Sequence, residues 1–408
     1  MKQFSKIAAI LTAFFLSLAV CGCQIQSKQS DESEPIDISK VNINPDTGAS
    51  FTLRVAVADS AVEQKSMKNI SAIFNKTYPN INVSVETMGS SVSSYIQNSY
   101  ATNNLPDIFM LSQFDMIKLD AMEILYDFQP YISAETVKGT FDSSDYVEAY
   151  WKLGQRNFNG DQLMISRTMD RVVCHYNPKI FKAAGVDMSL VKNGWTWDDF
   201  KTVSAKLRTY YDNQGITSPL ADSNYNWEAM INPIFESYGV QYFDDNGKVT
   251  IDSTATKNAL DFIKDLVDKK YFSGPNGGGA DFDNLKGCMA FDSQPLTYHM
   301  GRMKENLSAD QNIKDYYNVV TMPVMPGHEN IGAGAAGYAM SYNTKHSDYA
   351  WKFLKLIAEK EGQNALADGG ITQPSIRKDM SGVSLENHWT VGFEDYNLEA
   401  YTFKNGSS

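Results

Sequence analysis

The stretch "FTLRVAVADSAVEQKSMKNISAIFNKTYPNINVSVETM", residues 51 to 88, decides the fold class. Its first eight residues are apolar and rich in β-branched side chains, and they read as a buried strand. Met67, Ile70, Ile73 and Phe74 then fall on one face at helical spacing, and Pro79 stops that helix. "INVSVETM" alternates, with Ile81, Val83 and Val85 expected to face inward and Asn82, Ser84 and Glu86 outward. A polar helix over 91–103 leads to "PDIFML", another buried strand. Strand, helix, strand, helix, strand predicts βαβ units in an α/β fold. In such folds the loops at the C-terminal ends of parallel strands receive ligands.

Further along, "GWTWDDF" (194–200) offers Thr196 as an N-cap with Asp199 three residues on, a capping box that starts a helix. "NGKVTIDSTATKNALDFIKDLVDKKYF" gives a hairpin-like strand, an N-cap at Asp252 or Ser253, and a helix burying Ala259, Ile263, Leu266 and Val267. "YYNVVTMPVMPG" (316–327) reads as a strand closed by prolines, and "DYAWKFLKLIAEKEGQNALA" (348–367) as one long helix ended by "GGITQPSIRKDM". The chain from residue 51 onward exceeds what one core usually holds, so two lobes are expected.

The other end of the chain speaks of location. Lys2 and Lys6 precede the apolar run from Ile7 to Val20, the pattern of a secretory signal. The run closes in Val20-Cys21-Gly22-Cys23, which resembles a bacterial lipobox. Val20 and Gly22 stand where that motif needs an aliphatic and a small residue before Cys23. Cys21 fits less well, because bulky Val20 would directly precede it. The expectation is a signal peptide over 1–22, lipidation of Cys23, and a flexible tether over 23–50 rich in Ser, Gln, Asp, Glu and Pro. The protein would then be lipid-anchored on the extracytoplasmic face of the cell membrane. No second apolar run approaches 18 residues, so no spanning helix is expected. Cys174 and Cys288 are isolated and read as buried thiols. A net charge of −12 without a basic patch argues against nucleic acid as a partner.

Taken in order, "CHYNPKIFKAAGV", "GWTWDDF", "YGVQYFDDNGK", "NALDFIKDLV", "KGCMAFD", "VTMPVMPG", "GAGAAGYAMSYN" and "AWKFLKLIAEKEGQ" resemble the family 1 extracellular solute-binding proteins of ABC importers, the maltose-binding-protein-like group. The resemblance runs from residue 51 to about 380. It implies two α/β lobes, each a mostly parallel sheet flanked by helices, hinged around a cleft that holds the solute. Lobe one would comprise 51–164 with 325–370, and lobe two 165–324 with 374–408, with crossings near Met164, Pro323 and Gly370. The family pattern also implies a short terminal helix, since the chain closes at "YTFKNGSS". Two departures bear on the solute rather than the fold. The aromatic that many relatives carry after the "AM" of "KGCMAFDSQPL" is absent, and "DQLMISRTMDRVV" lacks the Tyr-Gly-x-Pro of many sugar binders.

The chemistry-bearing patterns are few. "GAGAAG" (332–337) matches a dinucleotide fingerprint, but it follows a loop and precedes strand-like chain instead of opening a helix. Small residues there let a ligand or the opposing lobe come close. Histidines 175, 299, 328, 346 and 388 show no metal-ligand spacing, and no catalytic triad motif occurs. No cofactor, metal or catalytic residue is therefore expected. Trp195 and Trp197 read as core. Ligand contacts are expected from Asp59, Ser60, Ser90, Gln113 and Phe114 after the lobe-one strands. Arg167, Asn226, Trp227 and Asp292 would come from lobe two, and Gly334 and Arg377 from late loops. The function these features imply is that of a monomeric, membrane-tethered binding component handing a carbohydrate, an oligosaccharide above all, to an ABC permease. The alternatives are a non-sugar solute or a lipid-anchored surface glycosidase.

Overall fold

The computed structural model describes residues 36–89, 91–158, 160–223, 227–275, 278–328 and 331–402. Residues 1–22, expected to be a signal peptide and including Cys21, and the expected lipidation site Cys23 lie outside the described residues. So do Ser90 and Asn226. The described residues from 39 onward form one compact unit.

Eleven strands are present among the described residues: β1 Thr52–Val57, β2 Asn82–Thr87, β3 Ile108–Ser112, β4 Ile165–Ser166, β5 Asp170–Arg171, β6 Val173–Tyr176, β7 Ala221–Ser223, β8 Met289–Asp292, β9 Asn318–Thr321, β10 Ala333–Gly334 and β11 Ala336–Met340. They form a lobe-one sheet ordered β2-β1-β3-β11-β4, a lobe-two sheet ordered β7-β8-β6-β9, and a two-stranded ribbon of β5 with β10. The two α/β lobes stand as the sequence implies. The sheets are mixed, however, and not mostly parallel: β1–β2, β1–β3 and β7–β8 run parallel, while β11 and β6 pair antiparallel with both neighbours. The strands that arrive through the hinge enter each sheet against the direction of its local βα units.

Alternation sets the core. Leu53, Val55 and Val57 of β1 face one apolar cluster with the helix Ala61–Thr77, which buries Met67, Ile70 and Phe74, while Ala56 faces a second cluster with Phe109 and Leu111. β2 departs from its expected alternation. It is an edge strand, half-buried along its middle, so neither face is wholly covered. In lobe two, Cys174, Phe291 and Val320 face the cluster that holds Trp195 and Trp197, while Val173, Ala290 and Val319 face the cluster with Trp389 and Tyr401. The Thr196–Asp199 capping box opens the helix Trp197–Asn213, and both tryptophans are core. Ser253 caps the helix Thr254–Asp268. Cys174 and Cys288 are buried free thiols.

Other details differ from expectation. The helix over 348–367 is two helices, Ser347–Ala358 and Lys360–Gly369, because Glu359 is extended (φ −79°, ψ 164°). The break brings Gly362 against the Leu356 carbonyl, where no Cβ would fit. Val324 still hydrogen-bonds Trp195 of lobe two, so the second crossing runs through the ribbon, later than Pro323. Residues 371–378 stay with lobe one: Ile371 and Ile376 belong to its core, and Val147 N–H donates to the Ile376 carbonyl at 2.8 Å. The chain reaches lobe two's core at Trp389. At the other end, Ile43, placed with the tether in sequence, is buried in lobe one, and Asn42 N–H donates to Asp348 at 3.1 Å.

Candidate functional site

The ribbon is the structural centre of the site. Ala333 opposes Arg171 and Gly334 opposes Asp170, so two chain crossings run antiparallel between the lobes. Several elements are fastened to it. Arg167 N–H donates to the Ala336 carbonyl (3.0 Å), and its guanidinium pairs with Glu63 in the first turn of the helix Ala61–Thr77. Tyr338 donates its hydroxyl to the same carboxylate at 3.0 Å. On the far side, Thr168 donates to Asp170 (3.1 Å), and Gln373, beside Thr168, donates to the Ser293 carbonyl of lobe two (2.6 Å). Burial pushes the Asp170 carboxyl upward against the pull of Arg167. The third crossing is tied in by Thr297, which donates to the Gly370 carbonyl at 2.9 Å.

Around this frame stand the residues expected from sequence. Asp59 is exposed and Ser60 half-buried, immediately before the helix that carries Glu63; Ser60 occupies the N-cap position without a side-chain capping bond. Gln113 is committed to the frame: its Oε1 accepts from Ala335 N–H (2.8 Å) and its own N–H donates to the Ala335 carbonyl (3.0 Å). This double bond staples the end of β3 to the junction of β10 and β11, and leaves Phe114, 44% exposed, beside it. On lobe two, Trp227 sits half-buried at the start of the helix Glu228–Ser237. Two residues on, the Ala229 carbonyl touches Gly332, where a Cβ would collide, so that helix end lies against the ribbon. Gly334 has open space where a side chain would be.

Three expected residues are otherwise engaged. Arg167 is spent on Glu63. Arg377 is packed on lobe one, paired with Asp379 (3.0 Å) and Asp145 (3.2 Å), with its guanidinium over the Tyr146 ring. Its loop follows lobe one rather than the cleft. Asp292 ends β8 but accepts from His175 Nε2 at 3.1 Å and His299 Nε2 at 3.0 Å, and from Gln294 N–H at 2.8 Å. Burial opposes ionisation of Asp292, yet the two imidazoles hold it well below the usual carboxylate range. Burial likewise works to lower His299, but Asp292 and Asp283 outweigh it and hold the imidazole up at about 9. His175 is lowered by burial and by its neighbour His299. Sequence reasoning missed Glu63, Gln373 and this histidine pair. Glu63 could have been found from its place in the first turn after Asp59-Ser60; the others carry no local signal.

The sequence profile of the family described as bacterial extracellular solute-binding protein matches residues 55–364. The chain belongs to that family. Among curated relatives is an arabinooligosaccharide-binding protein of Bacillus subtilis, 24% identical over 304 residues; the match covers 71% of this chain and 65% of that protein's length. Solved structures of the same fold include an ABC substrate-binding protein from Listeria monocytogenes in complex with cycloalternan. It has a TM-score of 0.67 at 18% identity, over 87% of this chain and 86% of that one. UgpB from Mycobacterium tuberculosis, in complex with glycerophosphocholine, also scores 0.67 at 16% identity, over 84% and 83% of the two chains. No described helix is long and apolar enough to cross a membrane.

Proposed function

We propose that the chain is the lipid-anchored binding component of an ABC importer that captures an oligosaccharide between its lobes and hands it to the permease. The observation that carries the reading is the pairing of family membership with an aromatic on each side of the ribbon, Phe114 from lobe one and Trp227 from lobe two. A pyranose or furanose ring has apolar faces and a polar rim, which suits aromatic faces among hydrogen-bonding groups such as Asp59 and Ser60. The arabinooligosaccharide-binding relative supports this class of solute. The cleft acts by capture and closure about the ribbon, without chemistry. Calorimetry against arabinooligosaccharides, maltodextrins and monosaccharides, with product analysis of the same samples, tests it. Saturable binding of an oligosaccharide left intact is expected; turnover of any glycan would overturn it.

A second reading, a polar non-sugar solute, is favoured by the likeness to the glycerophosphocholine-bound structure. It would be adopted if glycerophosphocholine bound and every saccharide failed. Anchoring at Cys23 is tested separately: Cys23→Ser should move the protein from membrane to medium, and Cys21→Ser should leave it attached. Release by Cys21→Ser alone would show that the other cysteine carries the lipid.

A further inference from the structure

On the face of the lobe-two sheet away from Trp195 lies a cavity of about 600 Å³, lined by Asp222, Asp281, Asp283, Asp292, His299 and Arg302 among others. At its floor two histidines from separate elements converge on one carboxylate. His175 comes from β6 and is fully buried; His299 comes from the helix Leu296–Glu305 and is 4% exposed. Each directs Nε2 at a different oxygen of Asp292. The three potential ligand atoms all lie within 4.8 Å of one another.

We propose that His175, His299 and Asp292 bind a divalent transition-metal ion of the zinc class, entering from the acidic cavity of lobe two. A tetrahedral ion with bonds of about 2.0–2.1 Å holds its ligands about 3.3 Å apart. The Nε2–O separations of 3.1 and 3.0 Å lie close to that figure, and with both imidazoles drawn in around the carboxylate one ion would replace the two hydrogen bonds. The far side of each ring is held as a metal-ligating histidine requires. His299 Nδ1 is 2.6 Å from Asp283, and His175 Nδ1 is 2.7 Å from the Tyr317 hydroxyl. Such outer partners orient the ring and leave Nε2 for the metal. Two imidazoles and a carboxylate suit zinc, cobalt or nickel, whereas calcium and magnesium call for oxygen ligands. Arg302, at the rim, is drawn to Asp283 (3.3 Å) and stacks on Tyr298, so four aspartates still give the cavity a negative field that attracts cations. A bound ion would also fix the loop after β8, whose Ser293 carbonyl receives Gln373 of the third crossing.

The test uses the full chain, stripped with a chelator, dialysed, and titrated with Zn²⁺ by calorimetry and with Co²⁺ by visible absorption. One equivalent should bind, and the cobalt complex should show the intense visible band of four-coordinate geometry. Asp283→Asn should weaken binding about 10- to 100-fold. Asp292→Asn should abolish it while far-UV circular dichroism is retained. Absence of a one-equivalent site in the unaltered chain would overturn the proposal. So would Asp283→Asn and Asp292→Asn that both bind as tightly as the parent, because the ion would then sit elsewhere. Asp283 lies on the cavity wall with its side chain 23% exposed, so its variant keeps the test decisive even if Asp292→Asn does not fold.

Discussion

In lobe one the most deeply buried carboxylate is Glu135, 1% exposed, which receives Lys352 at 2.7 Å, Lys355, the Trp351 indole N–H at 3.1 Å and the Thr140 hydroxyl at 3.0 Å. In lobe two the carboxylate to set beside it is Asp292, its side chain 30% exposed, whose partners are the imidazoles of His175 and His299. Both arrangements satisfy every oxygen, yet they differ in kind. Burial works against the charged Glu135, but the hydrogen bonds from Lys352 and Lys355 prevail and hold its carboxyl below the usual range, so above that range the cluster keeps one charge state. Imidazoles can be neutral, protonated or bound to a metal, so the Asp292 cluster has several. Lobe one uses buried charge as a fixed brace between the helices Gln129–Val137 and Ser347–Ala358, and lobe two keeps an adjustable one beside a cavity.

The largest effect should separate these braces. Glu135→Gln leaves two lysines and an indole donor around a neutral amide, one of them, Lys355, only 9% exposed. Stranding buried charge in this way should cost about 3–5 kcal/mol. Asp292→Asn should cost about 1–3 kcal/mol, because His299 keeps Asp283 and can shed a proton, while burial already holds His175 toward its neutral form. Urea unfolding of the full chain at pH 7 in the presence of EDTA measures both. If Asp292→Asn costs as much as Glu135→Gln, the two braces are equivalent and the contrast fails.

Next in size is the division of labour in solute capture. Trp227→Ala should lose about 2 kcal/mol of binding, roughly thirtyfold in affinity, from lost stacking and burial. Phe114→Ala should lose about 1 kcal/mol, since the smaller ring offers less area. Trp227 also packs partly on lobe two's core, so a small drop in melting temperature is expected there and none at Phe114. Calorimetry with the oligosaccharide that the parent binds, paired with thermal melts, reads both. Should Trp227→Ala unfold the lobe instead, that ring is core, and the stacking platform lies at Phe114 or among the tyrosines.

What could be read from the sequence follows the same divide. β1, β2, β3 and the helix after β1 were legible because their patterns are local: strand alternation, helical spacing and Pro79 sit within a few residues of one another. The Thr196 capping box fixed a helix start and with it the core role of two tryptophans. The break at Glu359 was hidden because the apolar stripe continues on both sides of it. The site was legible only as loops after strands. That Arg167 meets Glu63, that Gln113 turns back to Ala335, or that Arg377 stays with lobe one depends on contacts between residues 104, 222 and 232 apart. His175 and Asp292 are 117 residues apart, and no spacing rule links them.

The smallest effect concerns a carboxylate that has no such partner. Asp127, near the start of the helix Gln129–Val137, accepts from Gln129 N–H at 2.8 Å, but burial pushes its carboxyl up to about 6, with Asp161 and Asp120 adding to burial and Arg156 opposing it. A folded value above the unfolded one means that the native state favours the protonated form. Ionisation therefore costs stability that is recovered as pH falls from above 6 toward 4. Glu135 has the opposite sign: burial works against it, but the lysines prevail and its carboxyl is lowered, so its contribution is present above about 4.5 and is lost only below that. Asp127→Asn keeps an acceptor for Gln129 and removes the charge. Asp127 is only partly buried, so water screens much of the penalty, and the variant should gain no more than about 1 kcal/mol at pH 7.5. It should gain much less near pH 4.5, where the native carboxyl is already protonated and most of the penalty has gone. A denaturation series over pH 4.5–7.5 decides it. A gain that is equal at both ends would mean that the asparagine acts through packing, and that this part of lobe one holds no uncompensated charge to set against the braced Glu135.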